Sequence, residues 1–367
     1  MATDPIFSPS FGNRPSKLVG REPVLAELLA GLGSVPGSRD RAVVLLGQRG
    51  SGKTVLLWEL AERASDAGFV VATPTIASDG MLERIVEKIQ DAGESGMDKR
   101  KLRLAGGNLG ALGFSAGLQF TREVQESKSF QHKLTQLARA LSKQGKGILI
   151  LVDELQANSP EIRQLVIAYQ ELVGEGLNIA IVMAGLPGAV SATLNDKVLT
   201  FLNRARKTEL GPLSFADVDA FYKDSFERLG LSLSSDLRRT ASHAVNGSPY
   251  LLQLIGHNMA LYSPEGGALD EESVGEALRT AQEDYENDVC KTTLAALSAR
   301  DVDFLHAMVE VGVPAKMAGV AKAMGESPDY AQKYRRRLMD SGIILSPERG
   351  KVSFAVPYLE EYLRARV

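Results

Sequence analysis

Apolar residues in this chain follow two patterns in alternation and then settle into one. Short, largely apolar runs at residues 42–46, 69–73, 147–152 and 178–184 have the length and composition of buried strands. Between them the apolar positions recur at helical spacing. Leu82, Ile85, Val86 and Ile89 share one face, residues 55–62 are good helix formers, and further helices are expected over 24–32 and 130–143. A short fifth strand is expected at 207–210. Strands that alternate with helices predict an α/β fold, a parallel sheet with helices on both faces. Trp58, inside the 55–62 helix, reads as a core residue.

From Phe215 onward the strand runs stop and only the helical period remains, over 215–229, 235–245, 249–262 and 271–296, with a break at Gly247-Ser248-Pro249. The C-terminal stretch changes once more. Helices are expected at 301–311 and 316–324, and a third is opened by Ser327 as N-cap and Pro328 as first residue and ends at Gly342. Residues 343–345 and 352–355 then flank a turn at 346–350, a hairpin. Three helices and a hairpin predict a winged helix. The expected division is an α/β domain at 1–212, a helical lid at 213–296 and a winged-helix domain at 297–367.

Two stretches fit these patterns poorly. Residues 5–20 carry Pro5, Pro9, Gly12, Pro15 and Gly20, the composition of an extended loop. Residues 98–125 begin with Lys99-Arg100-Lys101 and Arg103, continue through Gly106, Gly107, Gly110, Gly113 and Gly117, and read as a loop or hairpin projecting from the core. Such an insertion is either a DNA or partner contact or simply solvated.

Composition narrows the class. A chain of 367 residues is too long for one ordinary core, and 44% hydrophobic with 24% charged residues is the make-up of a globular protein. A net charge of −3 offers no global attraction to nucleic acid, so any such binding needs a local patch. A single cysteine, Cys290, excludes an internal disulfide, and the four scattered histidines do not suggest a zinc site. No stretch approaches the roughly 18 apolar residues of a membrane span, and Met1-Ala2-Thr3-Asp4 lacks a secretory start, so a cytoplasmic location is expected.

The chemistry lies at the ends of the strands. Gly47-Gln48-Arg49-Gly50-Ser51-Gly52-Lys53-Thr54 meets every position of the G-x-x-x-x-G-K-[ST] phosphate-binding loop, and it stands between a strand and a helix as that loop requires. Its glycines let consecutive backbone N–H groups curl around phosphates at the positive end of a helix dipole. Lys53 would reach the β- and γ-phosphates, and the Thr54 hydroxyl would ligate Mg²⁺. The run at 147–152 ends in Asp153-Glu154, which puts two carboxylates at the carboxyl end of a central strand, facing the ligand crevice. Asp153 would hold the Mg²⁺ shell, and Glu154 would orient the attacking water.

With these parts in order the chain resembles the AAA+ ATPases, in particular the branch of archaeal and eukaryotic origin-recognition initiators and their bacterial ATP-binding relatives. Val19-Gly20-Arg21-Glu22 looks like the adenine-side motif, and the phosphate loop, the Asp153-Glu154 pair, a helical lid and a winged helix follow. The resemblance implies a P-loop NTPase sheet of strand order 5-1-4-3-2, ATP or ADP bound with Mg²⁺ between sheet and lid, and nucleotide contacts from Gly47, Gln48, Gly50, Ser51, Gly52, Lys53, Thr54, Val55, Val19 and Pro249. It implies catalytic roles for Lys53 and Glu154. Arg204, in Asn203-Arg204-Ala205-Arg206, stands where the family's arginine finger arises, which would imply a homo-oligomer; a surface arginine is the alternative. Two departures stand out. The family's polar sensor at the end of the fourth strand is replaced by Ala184-Gly185-Leu186-Pro187, so hydrolysis is expected to be slow. Gly247-Ser248-Pro249-Tyr250 looks like the glycine-x-proline motif of signalling ATPases rather than an initiator's lid arginine.

On the helix after Ser327, Ala331, Tyr334 and Leu338 share a buried face, which leaves Lys333 and Arg336 pointing outward with Arg335 and Arg337 beside them. With Arg349 and Lys351 at the wing, these six would suit a reader of double-stranded DNA. Asp329 and Asp340 on the same outward face favour the alternative, a winged helix packed on protein. Two functions stay open: an ATP-controlled DNA-binding switch, and a signalling switch with a protein partner.

Overall fold

The computed structural model describes residues 6–9, 15, 17–104, 129–197, 199–263 and 267–366. Its centre is a five-stranded parallel sheet of β1 (Ala42–Gly47), β2 (Phe69–Ile76), β3 (Gly147–Leu155), β4 (Ile179–Gly185) and β5 (Arg206–Leu210). The order is β2-β3-β4-β1-β5, the 5-1-4-3-2 order read from its other edge.

Side chains alternate across the strands, so the sheet has two separate cores. On one face Val43, Leu45, Val71, Leu149, Leu151, Ala180 and Val182 pack with α1 (Glu22–Leu32) and α2 (Lys53–Asp66) through Leu25, Leu28, Leu56, Leu57 and Leu60. On the other, Val44, Val70, Ile148, Ile150, Val152, Ile181 and Met183 pack with α3 (Met81–Leu104), α4 (Phe130–Lys143) and α5 (Pro160–Gly174). Central strands buried on both faces need unbroken apolar runs, which is why the sequence pattern locates them. Trp58 departs from its expected core role: it lies on the outer side of α2 and is 40% exposed.

The expected loop at 98–125 is corrected at its start, because α3 continues as helix to Leu104; the remainder of that stretch lies outside the described residues. The 5–20 segment is not merely a connecting loop. Phe7 is buried against Phe221, Tyr222 and Phe226, with ring centroids 5.8, 6.1 and 5.5 Å away, and the Ser8 N–H donates to Gln253 Oε1 at 2.8 Å.

After β5 come α6's successors; α6 itself (Pro187–Leu194) follows β4. The helices are α7 (Phe215–Arg228), α8 (Ser235–Ala244), α9 (Pro249–Leu261) and α10 (Glu271–Tyr285), the last continuing through a π-helical turn at Glu286–Cys290 into α11 (Lys291–Ala295). Two two-residue strands the pattern does not signal, β6 (Ser232–Leu233) and β7 (Ala268–Leu269), pair among them. The C-terminal elements are α12 (Ala299–Val311), β8 (Ala315–Lys316), α13 (Met317–Ala323), α14 (Pro328–Asp340), β9 (Ile344–Leu345), β10 (Lys351–Phe354) and α15 (Leu359–Arg364). β9 and β10 form the expected hairpin, and β8 adds to its other edge. One buried cluster runs from Phe221 and Tyr222 through Leu251 and Tyr285 to Phe304, Tyr334, Leu338 and Leu363. Among the described residues no helix is long and apolar enough to cross a membrane.

Candidate functional site

The loop between β1 and α2 turns through two left-handed glycines, Gly50 at φ 75° and Gly52 at φ 86°, which a side chain would strain. A Cβ built on Gly50 would meet nothing within 4 Å, so the mouth of the loop is open there. The Lys53 ammonium folds back inside it and donates to the carbonyls of Gly47 at 2.8 Å and Gln48 at 2.7 Å. Burial pushes its pKa down to about 8, against upward contributions from Asp153 and Glu154, and Arg49 pushes it further down.

Next to it, the Thr54 hydroxyl donates to Asp153 Oδ2 at 2.6 Å, joining residues 99 positions apart. The strand geometry accounts for the carboxylate's aim. Between Val152 and Leu155, β3 carries one residue more than β4, which pairs Met183 with the first and Gly185 with the second. This bulge bends the strand end as bulges near sites do, and Glu154 takes up the irregularity at φ 53°. Asp153 is 5% exposed; its Oδ1 accepts the Glu154 N–H at 2.9 Å, and its carbonyl accepts the Ala77 N–H at 3.0 Å. Glu154, by contrast, is exposed to the crevice. The donor set fits a phosphate with its magnesium ion: a hydroxyl and a carboxylate already in contact, a lysine beside them, and a buried Ser51 Oγ without a hydrogen-bond partner.

Of the other expected nucleotide residues, Val19 and Val55 are half-buried, and Pro249 reaches the loop, its Cγ 3.8 Å from where a Cβ on Gly52 would stand. The carbonyl of Gly247, two residues before it, accepts the Leu213 N–H at 2.9 Å. A cavity of about 270 Å³ opens there, lined by Pro212, Leu213, Phe215, Ser242, His243 and Gly247. Arg21 is a member of the site that sequence reasoning left without a role. It is 7% exposed and donates from Nη2 to the carbonyls of Ser51 at 3.2 Å and Gly211 at 2.5 Å, so it braces the phosphate loop against the chain leaving β5. The signal was present, an arginine just ahead of a helix in Val19-Gly20-Arg21-Glu22, but its partners are distant in sequence.

Arg204 ends the 3-10 turn Thr200–Arg204 and is exposed; among the described residues it forms no ion pair with Asp153 or Glu154. The six basic residues expected on one DNA-facing surface divide into two groups. Lys333, Arg336 and Arg349 are exposed. The others are held by the chain itself. Arg335 donates to Ser346 Oγ at 3.1 Å, and Lys351 pairs with Glu348 at 2.8 Å. Arg337 donates from Nε to the buried Asp301 Oδ1 at 2.8 Å and lies over the Tyr334 ring.

Comparison with known proteins agrees with the fold. Residues 17–182 match the model of the AAA ATPase domain, and residues 287–363 match a domain of unknown function. Two solved structures are similar over nearly the whole chain. The Walker-type ATPase PABY2304 of Pyrococcus abyssi is 17% identical, over 96% of this chain and 97% of its own, with a TM-score of 0.71. The Aeropyrum pernix ORC2 protein in its ADP form is 16% identical, over 98% of this chain and 97% of its own, with a TM-score of 0.57. Among curated proteins none matches.

Proposed function

We propose that this chain, whose residues 17–182 match the AAA ATPase domain and form a P-loop sheet, is a nucleotide-controlled ATPase switch. It binds Mg-ATP at Gly47–Thr54, hydrolyses it slowly, and uses the bound state to set how its C-terminal unit, read as a winged helix, engages duplex DNA. The observation that carries the reading is the 2.6 Å bond between Thr54 and Asp153 beside the Lys53 ammonium, which brings two distant pieces of sequence to one phosphate-sized site.

In this reading Lys53 leaves the carbonyls of Gly47 and Gln48 to hold the β- and γ-phosphates, and the backbone N–H groups of Gly50 to Thr54 take the phosphate oxygens. Thr54 and Asp153 would hold Mg²⁺, which when bound neutralises charge on the phosphates. Glu154, exposed at the strand end, orients the attacking water. Slow turnover follows from β4, which hands Ala184 and Gly185 to the crevice and no polar side chain to assist. Arg204 would act across a subunit interface, so ATP would favour self-association.

Support for DNA comes from Lys333, Arg336 and Arg349, which are exposed on α14 and in the β9–β10 turn. A second reading, a switch that packs on protein, is favoured by the internal engagement of Arg335, Arg337 and Lys351. Salt-dependent binding of duplex DNA by the full chain decides between them. Replacing Lys333, Arg336 and Arg349 with alanine should flatten the log–log salt slope by about 3 if each meets one phosphate. An unchanged slope selects the protein reading. For the ATP site, Lys53→Ala should abolish nucleotide binding or turnover, and full activity in that variant would refute it.

A further inference from the structure

The phosphate loop has a neighbour on its rim. The end of α14 and the turn after it sit where α6 begins: a Cβ built on Gly188 would lie 2.7 Å from both the Cα and the backbone oxygen of Asp340. A Cβ on Gly342 would run into Gln48 Oε1, with Leu186 Cδ2 3.7 Å away. Gly342 is buried and held at φ 71°. Two glycines, one on each side, therefore permit the contact, and neither leaves room for a methyl group. Gln48 is the second residue of the phosphate loop. Its side-chain oxygen is buried without a hydrogen-bond partner, while its carbonyl accepts Lys53 Nζ at 2.7 Å and the Ser51 N–H at 3.2 Å. One residue thus has its side chain against the C-terminal unit and its main chain on the lysine that must reach the phosphates.

We infer that Gln48 is a positioning residue that couples the phosphate loop to the seating of residues 340–343, so that nucleotide binding and seating oppose each other. The inference rests on reading Gly47–Thr54 as the ATP site. To meet phosphates, Lys53 gives up the carbonyls of Gly47 and Gln48, and the loop readjusts at Gln48. A side chain packed without slack against Gly342 cannot follow, so the C-terminal unit lifts and the amide oxygen gains water. Coupling of this kind is reciprocal: whatever unseats the unit tightens nucleotide binding by the same factor by which nucleotide unseats the unit.

Two substitutions on the ATPase side open the contact at different points. Gly188→Ala favours helix α6 locally while its methyl group displaces Asp340. Gln48→Ala removes the side chain under Gly342. With the full chain and a fluorescent mant-ATP titration, each should lower Kd about tenfold. The double variant should gain no more than either single one, because both open the same contact. In the unsubstituted protein, saturating ATP should speed amide exchange at residues 340–345. A Kd within twofold of the starting protein in both variants, or effects that multiply in the double, overturns the coupling. Lys53→Ala separates the two ideas. If it binds as tightly as the starting protein, the ATP-site reading falls and the coupling with it; if it fails to bind while the glycine and glutamine variants are unchanged, the coupling alone falls.

Discussion

Lys53 is the residue whose burial has a measurable cost before any nucleotide arrives. Its ammonium is pushed from 10.5 down to about 8, chiefly because the loop removes it from water. For a base, a lowered folded pKa means that the unfolded chain binds more protons between the two values. The charged side chain therefore works against folding below pH 8, and stability rises as the pH climbs from about 8 toward 10.5. Integrating the two titration curves gives a penalty of about 3 kcal/mol at pH 7.5 and about 1 kcal/mol at pH 10, a recovery of about 2 kcal/mol. Lys53→Met has no proton to release, so other titrating groups cancel in the difference between the two proteins. Urea unfolding of both, without nucleotide, at half-unit steps from pH 7.5 to 10 should show the unsubstituted protein gaining about 2 kcal/mol on the variant. A difference that stays flat across this range would mean that Lys53 is solvated and not folded against the Gly47 and Gln48 carbonyls.

Three further outcomes follow from the same geometry. Glu154 sits at φ 53°, so Glu154→Gly should raise stability in urea by about 1 kcal/mol while ending ATP turnover; lost stability would argue against strain there. Glu154→Gln should keep mant-ATP affinity and stop phosphate release, and normal turnover would remove the role given to that carboxylate. Arg337→Ala leaves Asp301, 2% exposed, without its cation and should cost about 2 kcal/mol, whereas Arg336→Ala on the same helix should change stability by less than about 0.5 kcal/mol; equal effects in thermal melts would contradict the different placements of the two arginines.

The α/β architecture was legible because its signals are local. An apolar run long enough for a strand buried on both faces marks β3 and β4, and eight consecutive residues mark the phosphate loop. The sheet order needed the family resemblance, since strand neighbours leave no trace in any one stretch. What stayed hidden depends on distant partners. Arg21 reads only as one position of the Val19–Glu22 motif until Gly211 and Ser51 are seen to share it, and Phe7 reads as linker until Phe221 and Phe226 close around it. The helical period placed Arg335 and Arg337 beside an outward face, but it could not show that Ser346 and Asp301 had already engaged them. Trp58 misled for a related reason: a large apolar residue next to a core face is not obliged to enter it.

The cluster that runs unbroken from Tyr222 to Leu363 bears on how this chain can be taken apart. Cutting after residue 296, between the expected lid and the C-terminal unit, would pass through packed side chains rather than a linker, baring Tyr285 and Cys290 on one fragment and Tyr358 on the other. Each piece would be sticky and poorly folded. A fragment meant to bind partners without the ATPase sheet would have to begin near Pro212, and it would still lack Phe7, whose ring fills the groove at Gly256 from the other end of the chain.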